Sequence, residues 1–268
     1  MKLLEGKVGL ITGALDENSI AWKVALKAYD QGARIVLTNA PVALRMGKVN
    51  ELARLCQTEV VPADATSLDD IRRLYEKSME LLGGKLDFVL HSIGMSPNVR
   101  KGRAYTDLNY DFLQKTLDIS AISFHKMLQT AYQMDCINPW GSFTALTYIA
   151  AQRVFPDYGD MADAKALLES IARGFGYHYG KFRKVRVNTV SQSPTWTTAG
   201  SGVKGFDAFF DFAHKMSPLG NAPAEACADF CVFLFSDMAR YITMQNLYHD
   251  GGFSNMGVDP AVILKNSE

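Results

Sequence analysis

Two tyrosines and a lysine stand at chemically useful intervals in the segment TYIAAQRVFPDYGDMADAK, residues 147–165: Tyr148, Tyr158 and Lys165. A phenol can give a proton to a developing enolate only if something lowers its pKa and holds it in place, and a lysine seven residues on is expected to do both. Lys165 follows Tyr158 by seven positions, nearly two turns at about 3.6 residues per turn, so the spacing predicts that both side chains share one helical face. Ala162, Ala164 and Ala166 keep that face low enough for a flat cofactor to lie against it. Taken alone, Y-x6-K also fits an amphipathic helix with a surface lysine and a half-buried tyrosine.

The elements that must position these residues alternate along the chain. Short apolar runs at Lys7 to Thr12, Ala33 to Thr38, Thr58 to Val61, Leu86 to His91, Ser142 to Thr147, Val185 to Val190 and Asn246 to His249 read as strands. Helical patterns lie between them: Ser19 to Gln31, a stretch ending at Leu55, Ser67 to Leu82, Leu108 to Gln133, the Tyr158 helix, and Ala224 to Phe235. Strand–helix alternation of this kind predicts a single α/β domain over 1–268, a doubly wound, Rossmann-like parallel sheet.

The totals exclude several classes. Twenty-eight basic and 28 acidic residues balance, so no global field favours nucleic acid or an anionic membrane. Five scattered histidines without H-x-H or H-E-x-x-H spacing offer no metal site, so none is expected. Cys56, Cys136, Cys227 and Cys231 form no C-x-x-C pair and read as buried thiols of a reducing compartment. Glu5 and Lys7 interrupt the N-terminal apolar stretch, which therefore fails as a signal peptide, and no run is long enough to span a membrane. The expectation is a soluble, cytoplasmic protein.

In a sheet of this kind ligands sit outside the carboxyl ends of the strands. The first strand ends in Gly13, only the first glycine of a G-x-G-x-x-G turn, with Ser19 and Ile20 as donors to a pyrophosphate or Ser19 simply as an N-cap. Asp64, after the third strand, could accept from an adenine amino group or begin a helix. His91-Ser92-Ile93-Gly94 closes the fourth strand, where Gly94 admits a ribose or merely a turn.

Together, the G-x5-S-I-A turn (Gly13 to Ala21), Asp64, H-S-I-G (His91 to Gly94), the Tyr148/Tyr158/Lys165 trio, R-V-N (Arg186 to Asn188) and D-G-G-F (Asp250 to Phe253) resemble the enoyl-acyl-carrier-protein reductases, divergent short-chain dehydrogenase/reductases of type II fatty-acid synthesis. The resemblance covers nearly the whole chain. It implies reduction of the trans-2 double bond of an enoyl thioester on acyl-carrier protein by a nicotinamide cofactor, and a homotetramer. Carried over by position, Tyr158 would hydrogen-bond the thioester carbonyl, Lys165 would bind the nicotinamide ribose, and Tyr148 would stand near the substrate. Gly13, Ser19, Ile20, Asp64, Ala65, Ser92, Ile93, Gly94, Thr195, Trp196, Thr197, Thr198 and Ala199 would line the dinucleotide; Ser96 and Met161 would join the tyrosines around the substrate.

The departures matter as well. Ser193 stands where relatives often have the glycine of Ala-Gly-Pro, and Ala40 where many carry a polar adenosine contact. Thr38-Asn-Ala-Pro41 has neither an acid for a ribose 2′-hydroxyl nor a basic cluster for a 2′-phosphate. NADH is the expected cofactor, with NADPH left open. A second match, Tyr177-x3-Lys181, has the spacing of ordinary short-chain dehydrogenases but falls at the far end of its helix. The serine such enzymes place about thirteen residues before their tyrosine is Ala145 when counted from Tyr158. The alternatives are an ordinary carbonyl-reducing dehydrogenase and a dinucleotide-binding protein without turnover.

Residues 196–215 combine Gly200, Gly202 and Gly205 with Phe206, Phe209, Phe210 and Phe212, which suits a hinged aromatic lid or a packed core helix. Arg100, Lys101, Arg103 and Lys204 could receive an acidic carrier protein or simply be solvated.

Overall fold

The computed structural model describes residues 2–198, 200, 205–260 and 262. Its chain alternates β1 (Val8–Thr12), α1 (Ile20–Asp30), β2 (Arg34–Thr38), α2 (Pro41–Met46), α3 (Val49–Leu55), α4 (Leu68–Leu82), β3 (Leu86–His91), the single turn α5 (Pro97–Arg100), α6 (Tyr110–Leu117) and α7 (Ser123–Met134). Then follow β4 (Ile137–Thr147), α8 (Asp160–Arg183), β5 (Arg186–Gln192), α9 (Phe206–Met216), α10 (Ala224–Phe235) and β6 (Asn246–His249). The six strands form one parallel sheet in the order β2-β1-β3-β4-β5-β6.

Both faces of the sheet are covered, so its central strands are apolar runs rather than alternating ones; β1 is buried at all five positions. One face packs α1 and α10 over Ile11, Phe88 and Leu90, with Phe88 stacked on Phe235 at 4.4 Å. The other face packs α4, α7 and α8 over Leu10, Val89 and Phe143. Arg186, buried in β5, donates to the carbonyls of Leu234, Ser236 and Ala239 and so satisfies the C-terminal end of α10. Burial pushes its guanidinium down to about 10.

Three expectations are corrected. The segment Thr58–Val61 is not a strand: only a bridge from Val60 to Leu37 forms, leaving β2 as the sheet edge. The helix before Leu55 is two helices, parted at Gly47, where any side chain would strike the Leu15 carbonyl at 2.5 Å. The long helical stretch after Leu108 starts at Tyr110 and passes through a π-helical turn, Asp118–Ile122, before resuming as α7. Periodicity shows a stretch is helical but not that one turn carries an extra residue.

All four cysteines are free and buried. Among the described residues no helix is long and apolar enough to cross a membrane. Nor does any group of three or more His, Cys, Asp or Glu there suit a metal ion.

Candidate active site

The winding of the sheet reverses at β1, which has β2 on one side and β3 on the other, and a crevice at such a point is the natural ligand site of an open α/β sheet. Gly13 leaves β1 with φ +85°, and a Cβ there would lie 1.9 Å from the Ser92 carbonyl, so only glycine allows the ends of β1 and β3 to approach. Thr12 reinforces the contact by donating to Leu90 O and accepting from the Ser92 N–H. The loop after Gly13 closes on itself. Ser19 Oγ donates to Asp16 O at 2.7 Å and accepts from the Leu15 N–H at 3.2 Å. Ser19 stands at the N-cap position of α1, yet its hydroxyl makes no capping bond, which corrects the simple N-cap reading. Ile20 begins the helix, and its N–H belongs to the first turn, whose donors have no intrahelical partner.

Lys165 comes up beneath the next strand end. It is buried at 7% exposure, and its Nζ donates to Leu146 O at 2.8 Å, which uses one of three ammonium protons. Burial pushes this ammonium down to about 8, against the opposing pull of Glu169 one turn on. Gly94 is exposed directly above: a Cβ there would sit 3.3 Å from Met161 Cε and 3.7 Å from Lys165 Nζ. A glycine here leaves open the space beside the ammonium that a side chain would fill. His91, at the end of β3, is fully buried against Ser123 Oγ at 2.9 Å; burial and the nearby Lys165 hold its imidazole down to about 3, so it stays neutral.

Tyr158 is not on the helix of Lys165. It ends a 3-10 turn, Pro156–Tyr158, and α8 begins only at Asp160 after Gly159 turns the backbone to φ 48°, ψ −138°. The interval therefore does not give the two residues the shared helical face that periodicity predicted. The Tyr158 ring packs on Tyr148 with centroids 5.1 Å apart and planes inclined by 57°. Phe155, Phe209 and Phe253 complete this small apolar cluster. Burial raises both phenols, Tyr148 further through the neighbouring Tyr158 and Asp250, so each remains a neutral donor. The expectation that the lysine lowers the Tyr158 pKa is corrected: desolvation raises it. The Tyr148 hydroxyl is buried, with no hydrogen-bond partner among the described residues.

The remaining candidates fall into two groups. Asp64 is exposed and accepts from Thr66 N and Oγ1, both at 2.8 Å, and Ala65 lies between them at the start of that turn. Thr195 bonds Ser193 O, Thr197 accepts from the Gly200 N–H, and Thr198 reaches across to Asp16 at 2.5 Å. Trp196, half exposed, packs edge-on against Phe206. These bring the loop after β5 against the loop after β1, and Ala199, Gly202 and Lys204 lie outside the described residues. Ser96 is tied into the protein's own framework: its hydroxyl donates to Asp160 at 2.5 Å and caps α5 through the Val99 N–H. The Tyr177/Lys181 pair is exposed at the C-terminal end of α8, with Lys181 Nζ 3.1 Å from the Tyr177 hydroxyl, far in sequence and fold from the strand carboxyl ends.

Sequence reading missed the buried acids Asp160 and Glu169. Glu169 accepts from Thr147 Oγ1 at 3.0 Å and Gln152 Nε2 at 2.9 Å, pinning α8 to the end of β4 one residue beyond the Lys165 bond. The signal for Glu169 was present as Lys165-x3-Glu169 on one helical face.

Comparison with known proteins gives the family. A family model described as enoyl-(acyl carrier protein) reductase matches residues 13–254. The enoyl-acyl-carrier-protein reductase (NADH) FabI of Aquifex aeolicus is 34% identical over 260 residues, 96% of this chain and 95% of that protein. Enoyl-acyl-carrier-protein reductase (NADH) 2 of Rhizobium meliloti is 33% identical over 254 residues, 94% and 93% of the two chains. Among solved structures, the FabI–NADH complex from Alistipes finegoldii superposes with a TM-score of 0.96 at 65% identity, over 97% of this chain and 92% of that one. By sequence and by fold alike, the chain belongs to the enoyl-acyl-carrier-protein reductase family.

Proposed function

We propose that this chain reduces the trans-2 carbon–carbon double bond of enoyl-acyl-carrier-protein thioesters in fatty-acid synthesis, with Tyr158, Lys165 and Tyr148 as its working residues. The observations that carry the assignment of residues are the packed Tyr148–Tyr158 pair inside an aromatic cluster and a buried lysine next to Gly94. When bound, NADH supplies the hydride.

The chain's own groups do the rest. Tyr158, kept protonated by burial, donates to the thioester carbonyl and stabilises the negative charge that gathers there. Lys165, oriented by Leu146 O, holds its remaining N–H groups for the ribose hydroxyls and lends positive charge to the crevice. Tyr148 walls the acyl side and brings an unpartnered hydroxyl within reach of the substrate, while Met161 and Phe209 exclude water from it. Gly13, Ser19, Ile20, Asp64, Ala65, Ser92, Ile93, Gly94 and the Thr195 to Ala199 loop line the dinucleotide. Residues 1–268 work as one domain, residues 196–215 form the lid, and the chain assembles as a cytoplasmic homotetramer. Arg100, Lys101 and Arg103 border the entrance for the acidic carrier.

The test follows nicotinamide absorbance with crotonyl thioester and, separately, with a simple ketone. Oxidation of NADH with the thioester alone is the expected result; turnover of the ketone instead would make this an ordinary carbonyl dehydrogenase. Faster turnover with NADPH than with NADH would reverse the cofactor preference.

A further inference from the structure

Asp160 is the first residue of α8 and is completely buried. A carboxylate taken out of water requires a partner, and a cation is the usual one. Asp160 instead collects three neutral donors from two other segments, the Ser96–Asn98 turn and α6. Ser96 Oγ donates to Oδ1 at 2.5 Å, and Asn98 Nδ2 donates to Oδ2 at 2.8 Å. Thr116 Oγ1, in α6, lies 2.9 Å from Oδ2 and 2.8 Å from Phe112 O, sharing one proton between the two acceptors. Ser96, Asn98 and Thr116 are themselves buried. The position at the N-terminus of a 24-residue helix adds the favourable end of its dipole.

The geometry around this carboxylate reaches the chemistry by a short path. Between Asp160 and Tyr158 stands only Gly159, whose φ of 48° makes the corner, and a Cβ on Gly159 would meet Val99 Cγ2 at 3.3 Å. The Val99 N–H is in turn bonded to Ser96 Oγ, the same oxygen that donates to Asp160. Asn98 exchanges two further bonds with the backbone of Asn109, at 3.1 Å each, and so carries the clasp to the start of α6. Met161, the next residue of α8, touches Ser120 Oγ, which accepts from Met95 N at 2.9 Å and donates to Met95 O at 3.1 Å. The loop after β3, which borders the substrate side of the crevice, is thus fastened to the corner that carries the phenol.

We propose that Asp160 is a positioning residue: its carboxylate clasps the Ser96–Asn98 turn and α6 to the start of α8, and thereby fixes the corner from which Tyr158 reaches the thioester. The inference rests on the reading of Tyr158 as donor to that carbonyl. Ser96 then serves substrate only through the placement of its loop.

Asp160→Asn tests it, because an amide keeps one acceptor oxygen but turns an NH2 group toward donors. With crotonyl thioester and NADH, kcat should fall by about ten- to a hundredfold, the effect of displacing a reacting group by roughly an ångström, while the Kd for NADH, read by intrinsic fluorescence, holds. In a Tyr158→Phe background the same substitution should lower kcat no further, which a merely structural residue would not do. Ser96→Ala should lower kcat in the same direction alone and add nothing beside Asp160→Asn; should Asp160→Asn fail to fold, Ser96→Ala and Thr116→Val, alone and with Tyr158→Phe, decide. An unchanged kcat in these variants, or losses that multiply with Tyr158→Phe, would overturn the proposal. Full activity of Tyr158→Phe by itself would instead remove the assignment of the phenol.

Discussion

The Lys165 ammonium donates to the Leu146 carbonyl across 2.8 Å, so the charge beneath the crevice is fixed to the last residues of β4. Its burial has consequences of opposite sign for folding and function. Burial lowers this lysine from 10.5 to about 8. Between those values the unfolded chain holds a proton that the folded chain has released, so this residue makes stability rise with pH across that window. Under the role proposed for Lys165, function loses from the same change, because the positive charge assigned to the ribose disappears as pH rises through about 8. NADH affinity should therefore weaken above that point. Lys165→Met should bind NADH about ten- to a hundredfold more weakly, the worth of a charged hydrogen bond, with that pH dependence gone; titrations by fluorescence check both.

Two glycines at neighbouring strand ends should respond differently to one methyl group. At Gly13 the Cβ would strike the Ser92 backbone at 1.9 Å with φ at +85°, so Gly13→Ala should cost about 1–3 kcal/mol of stability or more. At Gly94 the Cβ meets only Met161 Cε and Lys165 Nζ, at ordinary or slightly tight distances. Gly94→Ala should leave Tm nearly unchanged and weaken NADH binding. Thermal melts with and without cofactor separate the two.

His91 supplies part of the acid sensitivity. The folded chain holds it neutral down to about 3, whereas the unfolded chain takes up a proton near 6.5. Stability from this group is complete above 6.5 and is lost as pH falls toward 3. His91→Phe should flatten that limb of the stability curve, since Ser123 keeps its bond to Ile119 O and Phe124 offers a ring to pack on. Denaturant melts across that pH range are the check.

The sheet was legible because apolar runs and intervening helical periods are properties of one stretch at a time. Thr58–Val61 misled for the same reason: its residues favour a strand, but beyond the Val60 bridge no ladder forms with β2. The tyrosines and lysine could be found by spacing, yet the corner at Gly159 could not, because a positive φ leaves no mark beyond the presence of a glycine. Ser19 and Ser96 were visible as polar residues at strand and helix ends. Their hydrogen bonds, to Asp16 and Asp160, depend on loop paths that periodicity does not describe. That burial raises the Tyr158 pKa was likewise hidden, since desolvation belongs to the folded surroundings rather than to the interval between two residues.

The role given to Tyr158 is tested most directly by Tyr158→Phe, assayed with crotonyl thioester and saturating NADH. The ring should still pack on Tyr148 and NADH should bind as before, while kcat falls by about a hundredfold or more, the scale of losing a positioned donor to developing charge. Wild-type turnover in that variant would contradict the assignment of this phenol.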